Sequence, residues 1–442
     1  MGGGLLQLVA YGAQDAYISA NPQITFWKGL YKRHTNFAME PFRVNFTGQP
    51  SWGTKQSAVI SRHADLLYST YVEVVLPYYA EGSSTIAALW NNEQGRLGYN
   101  LIKYAELEIG GQLIDRLYGE WLYLWDQLTS DYNTGKKLYQ MVGAGRPAGS
   151  TALSNPAQCG NSGKPALPNV VYIPLYFFFT KNPGAALPLI ALQYHEVKIN
   201  LLWNKPQVIS GNFSTTPHND FTVSMLPPPV QASIYIDYIY LDVEERRRMA
   251  QQSHEYLIEQ VQYNEDKGIS SYNNRVDLTF NHPVKELVWV VQPSSYTNCS
   301  VNTSTGPARL TPFTYDQAIV YDQWLQINGQ DRMDRRYGDY YNKVQMYQHH
   351  TGSMYTRQAT DDASDSIQSG IYMYSFALRP EEHQPSGTCN FSRIDTATIV
   401  MNLSGAYVVD ESTDATYEVR VYAVNYNILR IMSGMAGLAY SN

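Results

Sequence analysis

An internal repeat with a long period constrains the fold of this chain more than any other feature. Residues 107–121 read LEIGGQLIDRLYGEW, and residues 325–340 read LQINGQDRMDRRYGDY, with one inserted residue. Two weaker matches follow the same order; they pair the segment after His63 with that after His282, and 236–246 with 421–430. Three matches in one order predict two copies of a single domain, each of about 200 residues.

The best match also predicts a local structure. Gly111–Gln112 and Gly329–Gln330 occupy the same place in the two repeated segments. Glycine tolerates positive φ, where a Cβ atom would clash with the backbone. We therefore expect the two glycines to lie in equivalent tight turns of the two domains.

Strand patterns dominate both halves, because Val, Ile and Tyr alternate with polar residues between breaks at Gly, Pro and Asn. The predicted strands are 57–61, 67–76, 101–109, 170–179, 194–202 and 232–241 in the first half, and 256–263, 276–281, 287–292, 318–327, 371–378, 394–403 and 417–426 in the second. Helical spacing is confined to 120–130 and 183–192. Six to eight strands per half, joined by long loops, predict an all-β fold of jelly-roll type.

The domain organisation follows from breaks in these patterns. We predict an N-terminal extension at 1–24, a first barrel at 25–245, a linker at 246–253 and a second barrel at 254–442. Segments rich in Gly, Ser, Pro, Thr or Asp predict surface loops; they are 143–169, 296–312 and 348–369.

Composition narrows the classes of function that this chain can have. The chain has 442 residues and a formal net charge of −7; only 16% of its residues are charged, and 37 are Tyr. Direct binding to nucleic acid requires clustered Lys and Arg, which this composition disfavours. The centres of protein interfaces lose charge and gain aromatic residues. The chain is therefore either a protein with broad protein-binding surfaces or simply a Tyr-rich β protein.

The cysteines and the N-terminus bear on the compartment. Cysteines at 159, 299 and 389 form neither a disulfide framework nor a Cys-x-x-Cys pair. The start MGGGLLQLVAYGAQD lacks the basic and apolar regions of a signal peptide. No apolar run approaches the roughly 18 residues of a membrane span. We expect a chain that matures in a reducing compartment.

Motifs for chemistry are incomplete wherever they occur. GAGRPAG at 143–149 lacks the spacing of a dinucleotide loop, and GNSGKP at 160–165 has Pro where a phosphate-binding loop needs Ser or Thr. His195–Glu196 and His254–Glu255 begin like a zinc-protease motif but lack its second His. We therefore predict no catalytic residue, no cofactor and no metal site.

Several long stretches resemble the major capsid proteins of nucleocytoplasmic large DNA viruses, close to the chlorella-virus type. They are QLVAYGAQDAYISANPQITFWKGLYKRHTNF at 7–37, LEIGGQLID at 107–115, FFFTKNPGAALPLIALQYHEVKI at 177–199, HEYLIEQ at 254–260, LQINGQDR at 325–332, QPSGTCNFSRID at 384–395 and NYNILRIMSGMAGLAYSN at 425–442. These blocks span nearly the whole chain in the order of the family.

The resemblance implies a double jelly roll, two tandem eight-stranded barrels with long loops and a few short helices. It implies a homotrimer whose six barrels form a pseudo-hexagonal capsomer, and many capsomers that tile the icosahedral shell of a large double-stranded DNA virus. The expected partners are the chain itself, neighbouring capsomers and minor capsid proteins, with an internal viral membrane nearby and no direct nucleic-acid binding. Assembly is expected in the host cytoplasm.

Two sets of site residues follow from this interpretation. The resemblance implies glycans on outward loops, and the expected acceptors are Asn298, Asn302, Asn390 and Asn402. The N-terminal extension carries apolar residues that need burial against a partner; those of the expected assembly segment are Leu5, Leu6, Tyr11 and Tyr17. The competing interpretation is a jelly-roll protein that binds polysaccharide or acts on glycosides.

Overall fold

The computed structural model describes residues 3–76, 97–143, 169–205, 229, 231–294, 318–352, 370–404 and 416–440. The chain divides into two compact units, Met1–Phe37 and Ala38–Asn442. The first unit contains two short helices, α1 (Gly3–Val9) and α2 (Ala16–Ser19), neither of which has a buried residue. The predicted loops 143–169, 296–312 and 348–369 lie largely outside the described residues.

The first barrel consists of two antiparallel sheets. Its strands are β1 (Phe37–Asn45), β2 (Lys55–Ile60), β3 (Leu66–Leu76), β4 (Ile102–Ile109), β5 (Gln112–Tyr118), β6 (Asn169–Pro174), β7 (Leu187–Pro188), β8 (Val197–Trp203) and β9 (Gln231–Leu241). One sheet has the order β1-β9-β3-β6, with β7 also paired to β3, and the other has the order β2-β8-β4-β5. The helices of this half are α3 (Leu97–Leu101), α4 (Gly119–Thr129), α5 (Tyr132–Met141) and α6 (Phe178–Lys181).

The second barrel repeats this plan after helix α7 (Val243–Gln251), which contains most of the predicted linker. Its strands are β10 (His254–Ile269), β11 (Asn273–Asp277), β12 (Pro283–Pro293), β13 (Val320–Ile327), β14 (Gln330–Asp331), β15 (Arg336–Tyr337), β16 (Ile371–Ser375), β17 (Cys389–Asn390), β18 (Ala397–Leu403), β19 (Tyr417–Met432) and β20 (Met435–Leu438). The sheets have the orders β10-β19-β12-β16 and β11-β18-β13-β14. A π-helical turn (Tyr340–Val344) leads into α8 (Gln345–His349).

The two barrels are topological copies, so the repeat in the sequence is a repeat in the fold. We call the sheets β1-β9-β3-β6 and β10-β19-β12-β16 the core sheets. In each of them the last long strand, β9 or β19, lies between the first strand and β3 or β12. The predicted turns are equivalent: Gly110–Gly111 joins β4 to β5, and Asn328–Gly329 joins β13 to β14. All four residues have positive φ, from 50° to 84°, as a two-residue hairpin turn requires.

Proline accounts for two differences from the predicted elements. The strand predicted at 170–179 ends at Pro174, and helix α6 follows it. The helix predicted at 183–192 is wrong: two 3₁₀ turns flank the short strand Leu187–Pro188, because Pro188 has no N–H to donate. The helix predicted at 120–130 is confirmed as α4.

The start of the first barrel also differs from the prediction. Strand β1 begins at Phe37, so residues 25–36, which the sequence placed in the barrel, contain no strand. Pro41 lies inside β1 and breaks the strand pattern, so the sequence did not predict this strand. Proline is tolerated in an edge strand, and β1 is at the edge of its sheet.

Burial shows how the barrels are joined. One apolar cluster fills the interior of the second barrel. A second cluster fills the first barrel and continues into the second barrel, where it includes Val288, Val290, Tyr422 and Val424 from β12 and β19. The sheet β10-β19-β12-β16 therefore contributes to two cores, one on each of its faces.

Candidate functional site

The contact between the two barrels, which we call the inner junction, combines packed aromatic rings with buried ion pairs. Strand β5 and helices α4 and α6 of the first barrel cover the outer face of the sheet β10-β19-β12-β16. Aromatic rings fill the contact: the ring centroids of Trp121 and Tyr422 are 5.4 Å apart, and those of Tyr118 and Tyr263 are 4.5 Å apart. Trp121 is fully buried.

A buried ion pair crosses the inner junction. Arg420 of β19 donates to both carboxylate oxygens of Glu120 at the start of α4, with Nε–Oε2 and Nη2–Oε1 distances of 2.8 Å. The same guanidinium donates to Glu418 at 2.9 Å and to Gln292 at 2.6 Å. The hydroxyl of Tyr422 donates to Glu120 at 2.6 Å. Bidentate geometry of this kind fixes orientation as well as adding energy.

A second charged cluster involves α6 and β10. Lys181 and Lys285 donate to opposite oxygens of Glu259 at 2.9 and 2.6 Å, and the side chain of Lys285 is completely buried. Burial would raise the pKa of Glu259, but the charges of the two lysines outweigh it and lower that pKa to about 2. Lys181 also lies 3.9 Å from the ring centroid of Trp125. Glu259 is thus ionised and paired across the junction.

Two further titratable groups lie at or beside the junction. Asp115 of β5 accepts hydrogen bonds from the backbone N–H groups of Val261 and Arg116, at 3.1 and 2.9 Å. Burial raises the pKa of Asp115 to about 7 despite these bonds. Burial would lower the pKa of His350, but Glu286 and Glu381, each 2.9 Å from one ring nitrogen, raise it to about 9.

The histidines of the discounted zinc motifs make structural contacts. His195 Nδ1 accepts from the backbone N–H of Ala436 at 3.1 Å, and His254 Nε2 bonds to the carbonyl of Met249 at 2.8 Å. Among the described residues, no group of three or more His, Cys, Asp or Glu side chains could hold a metal ion. None of the described helices is long and apolar enough to cross a membrane. GAGRPAG and GNSGKP lie outside the described residues, apart from Gly143.

The assembly segment predicted in the N-terminal unit exposes its apolar residues. The exposed fractions of Leu5, Leu6, Tyr11 and Tyr17 are 56%, 59%, 59% and 96%. Further exposed apolar residues that the prediction did not include follow later in the same unit; among them are Ile24, Phe26, Trp27, Leu30 and Tyr31. The sequence could have indicated these residues, because Phe26, Trp27 and Tyr31 lie close together where no strand pattern accounts for them.

The four predicted glycan acceptors differ in exposure, and two of them lie outside the described residues. Asn298 and Asn302 lie outside the described residues. Asn390 is exposed on β17. Asn402 is only 3% exposed, and its Nδ2 donates to Asp322 at 2.7 Å while its Oδ1 accepts from Asn273 at 2.9 Å. Burial of the amide nitrogen argues against a glycan on Asn402.

Comparison with known proteins agrees with this architecture. Residues 25–242 match the family described as the major capsid protein N-terminus. Residues 245–437 match the family described as the large eukaryotic DNA virus major capsid protein. The two matches therefore account for nearly all of the chain between residues 25 and 437.

Individual relatives are similar over their full length. The major capsid protein of Pyramimonas orientalis virus is 46% identical over 453 residues, and that of Paramecium bursaria Chlorella virus 1 is 38% identical over 482; all of each chain is covered. The crystal structure of PBCV-1 VP54 covers 95% of this chain and 100% of its own, with a TM-score of 0.71 and 34% identity. These names give no support to a polysaccharide-binding protein. With two matched jelly rolls and relatives of this similarity, the chain belongs to the family of major capsid proteins of large eukaryotic DNA viruses.

Proposed function

We propose that this capsid protein forms a homotrimer, and that the trimer is a pseudo-hexameric capsomer that tiles the faces of an icosahedral shell. The observation that carries the proposal is the presence of two topologically equivalent barrels in one chain, joined by the inner junction. Three such chains provide six similar barrels, which can approximate sixfold symmetry and pack into a nearly flat layer. Low charge and abundant Tyr suit the broad lateral contacts that this packing needs.

The proposal includes a division of the chain and a set of partners. The barrels lie within 25–245, where the first strand begins at Phe37, and 254–442; 246–253 is their linker, and 1–24 is an extension that binds minor capsid proteins near the internal membrane. Exposed Leu5, Leu6, Tyr11 and Tyr17 support that role, since apolar side chains without a partner favour burial. The protein acts without catalysis or direct binding to DNA, and assembles in the host cytoplasm. Any glycans are on Asn298, Asn302 or Asn390 rather than Asn402.

Sedimentation of the purified protein tests the trimer. One chain has a mass of 50.1 kDa, so we expect a species of about 150 kDa at micromolar concentration. A protein that remains at the mass of one chain under these conditions contradicts the proposal.

Deletion of Gly2–Ala20 tests the assembly segment. We expect the shortened protein to form trimers with unchanged thermal stability, because none of the described side chains in α1 and α2 is buried. Co-assembly with the other capsid proteins should fail, as measured by the yield of closed shells in electron micrographs. The matched control is Tyr440→Ser, which removes an exposed Tyr elsewhere and should leave shell yield unchanged. Normal shells from the deleted protein would refute the partner contact.

A further inference from the structure

The core sheets of the two barrels have the same strand order but differ in what covers them. In β12 every residue from Val284 to Gln292 is buried, because one face lies on the core of its own barrel and the other lies in the inner junction. In β3 buried and half-buried residues alternate from Tyr71 to Leu76. The described residues therefore do not cover the outer face of the sheet β1-β9-β3-β6 as they cover its counterpart.

Aromatic and acidic side chains form this uncovered face. We call it the open sheet face and define it by Tyr71, Glu73, Tyr172, Tyr235 and Asp237, all of them half-buried. The ring of Tyr71 stacks on that of Tyr235 at 5.4 Å and meets the ring of Tyr172 edge-on at 6.0 Å. A patch of ordered tyrosine rings is typical of an interface centre.

Among the described residues, the charges of the open sheet face are paired differently from those of the inner junction. Glu73 is hydrogen-bonded to the hydroxyl of Tyr172, and Asp237 to that of Ser69. Arg43, on the edge strand β1, donates to Ser233 at 2.9 Å. In the inner junction, by contrast, Glu120 is held by a buried guanidinium. The open sheet face therefore presents carboxylates suited to cations from another surface.

The repeat identifies a second surface, equivalent to the edge that covers the inner junction. In the first barrel that edge is β5 and α4, and in the second it is β14, β15 and the helical segment that ends with α8. Gly119 and Gly338 begin the two helical segments in the same way: an added Cβ at either would collide with the carbonyl oxygen at the start of β4 or β13. The two edges therefore have equivalent positions in their barrels.

The end of this second edge contacts the first barrel, because Met346 packs in the first-barrel cluster and the N–H of Gly352 donates to the carbonyl of Leu128. Its outward side chains are not covered by any sheet in the described part of the chain. Tyr118 packs on Tyr263 and Tyr422 in the inner junction, whereas Tyr337, its counterpart in the repeat, is 65% exposed. We call five of the exposed side chains of this edge the open helix face; they are Arg336, Tyr337, Lys343, Val344 and Tyr347. Tyr347 is 89% exposed and Val344 is 40% exposed. The face combines apolar side chains with two cations, of which Lys343 is paired with the exposed carboxylate of Asp339 at 2.7 Å.

We infer that the open helix face of one copy docks on the open sheet face of a second copy and so repeats the inner junction between chains. The inference rests on the proposed homotrimer and assigns its contact surfaces. Arg336 and Lys343 would approach Glu73 and Asp237, with the tyrosines of both faces between them. Each chain presents one face of each kind, so the contact is heterologous and closes into a ring when the rotation allows it. In the proposed trimer, three such contacts between chains alternate with three inner junctions and close a ring of six barrels.

Two double variants test these surfaces by charge repulsion. The sheet variant is Glu73→Arg with Tyr235→Arg, and the helix variant is Val344→Asp with Tyr347→Asp. We expect each alone to associate at least about 30-fold more weakly than the wild type in sedimentation, as for the loss of an interface hot spot. Tyr440→Arg, an exposed Tyr outside both faces, is the matched control and should leave the trimer intact.

Mixing the two variants distinguishes this contact from others. Each retains the face that the other lacks, so the mixture should form a species of about 100 kDa or larger although each variant alone is a monomer. Association in the mixture also shows that both variants are folded. The inference is overturned if either variant alone remains trimeric, or if the mixture stays monomeric. In either case the proposed function still holds as long as the wild type is a trimer. A wild-type monomer overturns the proposed function itself.

A measurement on the wild-type chain does not depend on how the variants fold. A zero-length carbodiimide joins an amine to a carboxylate that it contacts. In cross-linked trimers we expect peptides that join Lys343 to Glu73 or Asp237, and in monomers we expect none. Cross-linked trimers without such peptides contradict the inference.

Discussion

The two core sheets share a strand order but differ in how their charged side chains are buried and paired. On the covered face of the second barrel, Arg420 and Lys285 are almost fully buried, and both are paired with carboxylates. On the open sheet face of the first barrel, Glu73 and Asp237 are half-buried and bonded to hydroxyls. A charge removed from water needs a partner of opposite sign, whereas a half-exposed charge retains part of its hydration. The strand order determines where each face lies, whereas the surface that covers a face determines how the charges on it are paired.

The largest expected effect comes from removing the buried cation of the inner junction. Arg420→Ala leaves Glu120 and Glu418 buried without their guanidinium, which should cost about 3–5 kcal/mol in the free energy of unfolding. Glu73→Ala on the open sheet face should cost less than about 1 kcal/mol in a monomeric sample. Urea denaturation measures both, at one protomer concentration low enough that sedimentation shows only monomer.

Equal costs for these two variants would contradict the contrast between the faces. Arg430→Ala is the control for loss of an arginine, because Arg430 and Glu255 form an exposed pair. Pairs of that kind contribute about 0–1 kcal/mol.

A second expected effect depends on pH. The pKa of Asp115 is about 7 in the folded chain, and that of an unfolded Asp is about 3.9. The unfolded chain therefore loses this proton first, so the contribution of Asp115 to stability is complete below pH 4 and is lost as the pH rises to 7. Asp115→Asn keeps an acceptor for the N–H of Val261 but does not ionise.

The stability of Asp115→Asn relative to the wild type should rise by about 2–4 kcal/mol between pH 4 and pH 8. Urea denaturation of both proteins across this range provides the comparison, and it cancels the titration of all other groups. A stability difference that does not change with pH would mean that Asp115 is ionised throughout.

The smallest expected effect concerns a feature that the barrels share. Gly111 and Gly329 have φ values of 84° and 75°, and neither has a neighbouring atom in the way of a Cβ. Each substitution by Ala should therefore cost only the backbone strain, about 1–2 kcal/mol, and the two costs should agree. Thermal unfolding measures both, with Gly4→Ala in α1 as a control without positive φ. A large difference between the two would mean that the hairpins are not equivalent.

Local features of the fold could be predicted because short segments determine them. Alternating strands such as β3 and the two glycine hairpins are set by side chains that are close in sequence. Strand β1 escaped prediction because Pro41 interrupts the pattern, and its place at a sheet edge makes that proline harmless. The helix expected at 183–192 failed for the opposite reason, since Pro188 lies where a helix needs an N–H.

The inner junction could not be predicted, because its partners are distant in sequence. Arg420 and Glu120 are separated by 300 residues, and nothing near either residue indicates the other. Asn402 illustrates the same limit: its sequon can be read from the sequence, but its burial against Asp322 and Asn273 depends on the packing of three strands. Resemblance to a family gave the architecture, whereas residue-level sites required the coordinates.

Cryo-electron microscopy of the purified capsomer, reconstructed without imposed symmetry, tests the central claim most directly. We expect three chains arranged as six barrels in one ring, with α4 on the second-barrel sheet within each chain and α8 on the open sheet face between chains. The angle between neighbouring barrels should be about the same at all six junctions, close to the 60° that a ring of six requires. A particle that pairs chains about a twofold axis, or a ring in which the open sheet face remains exposed to solvent, would contradict the account.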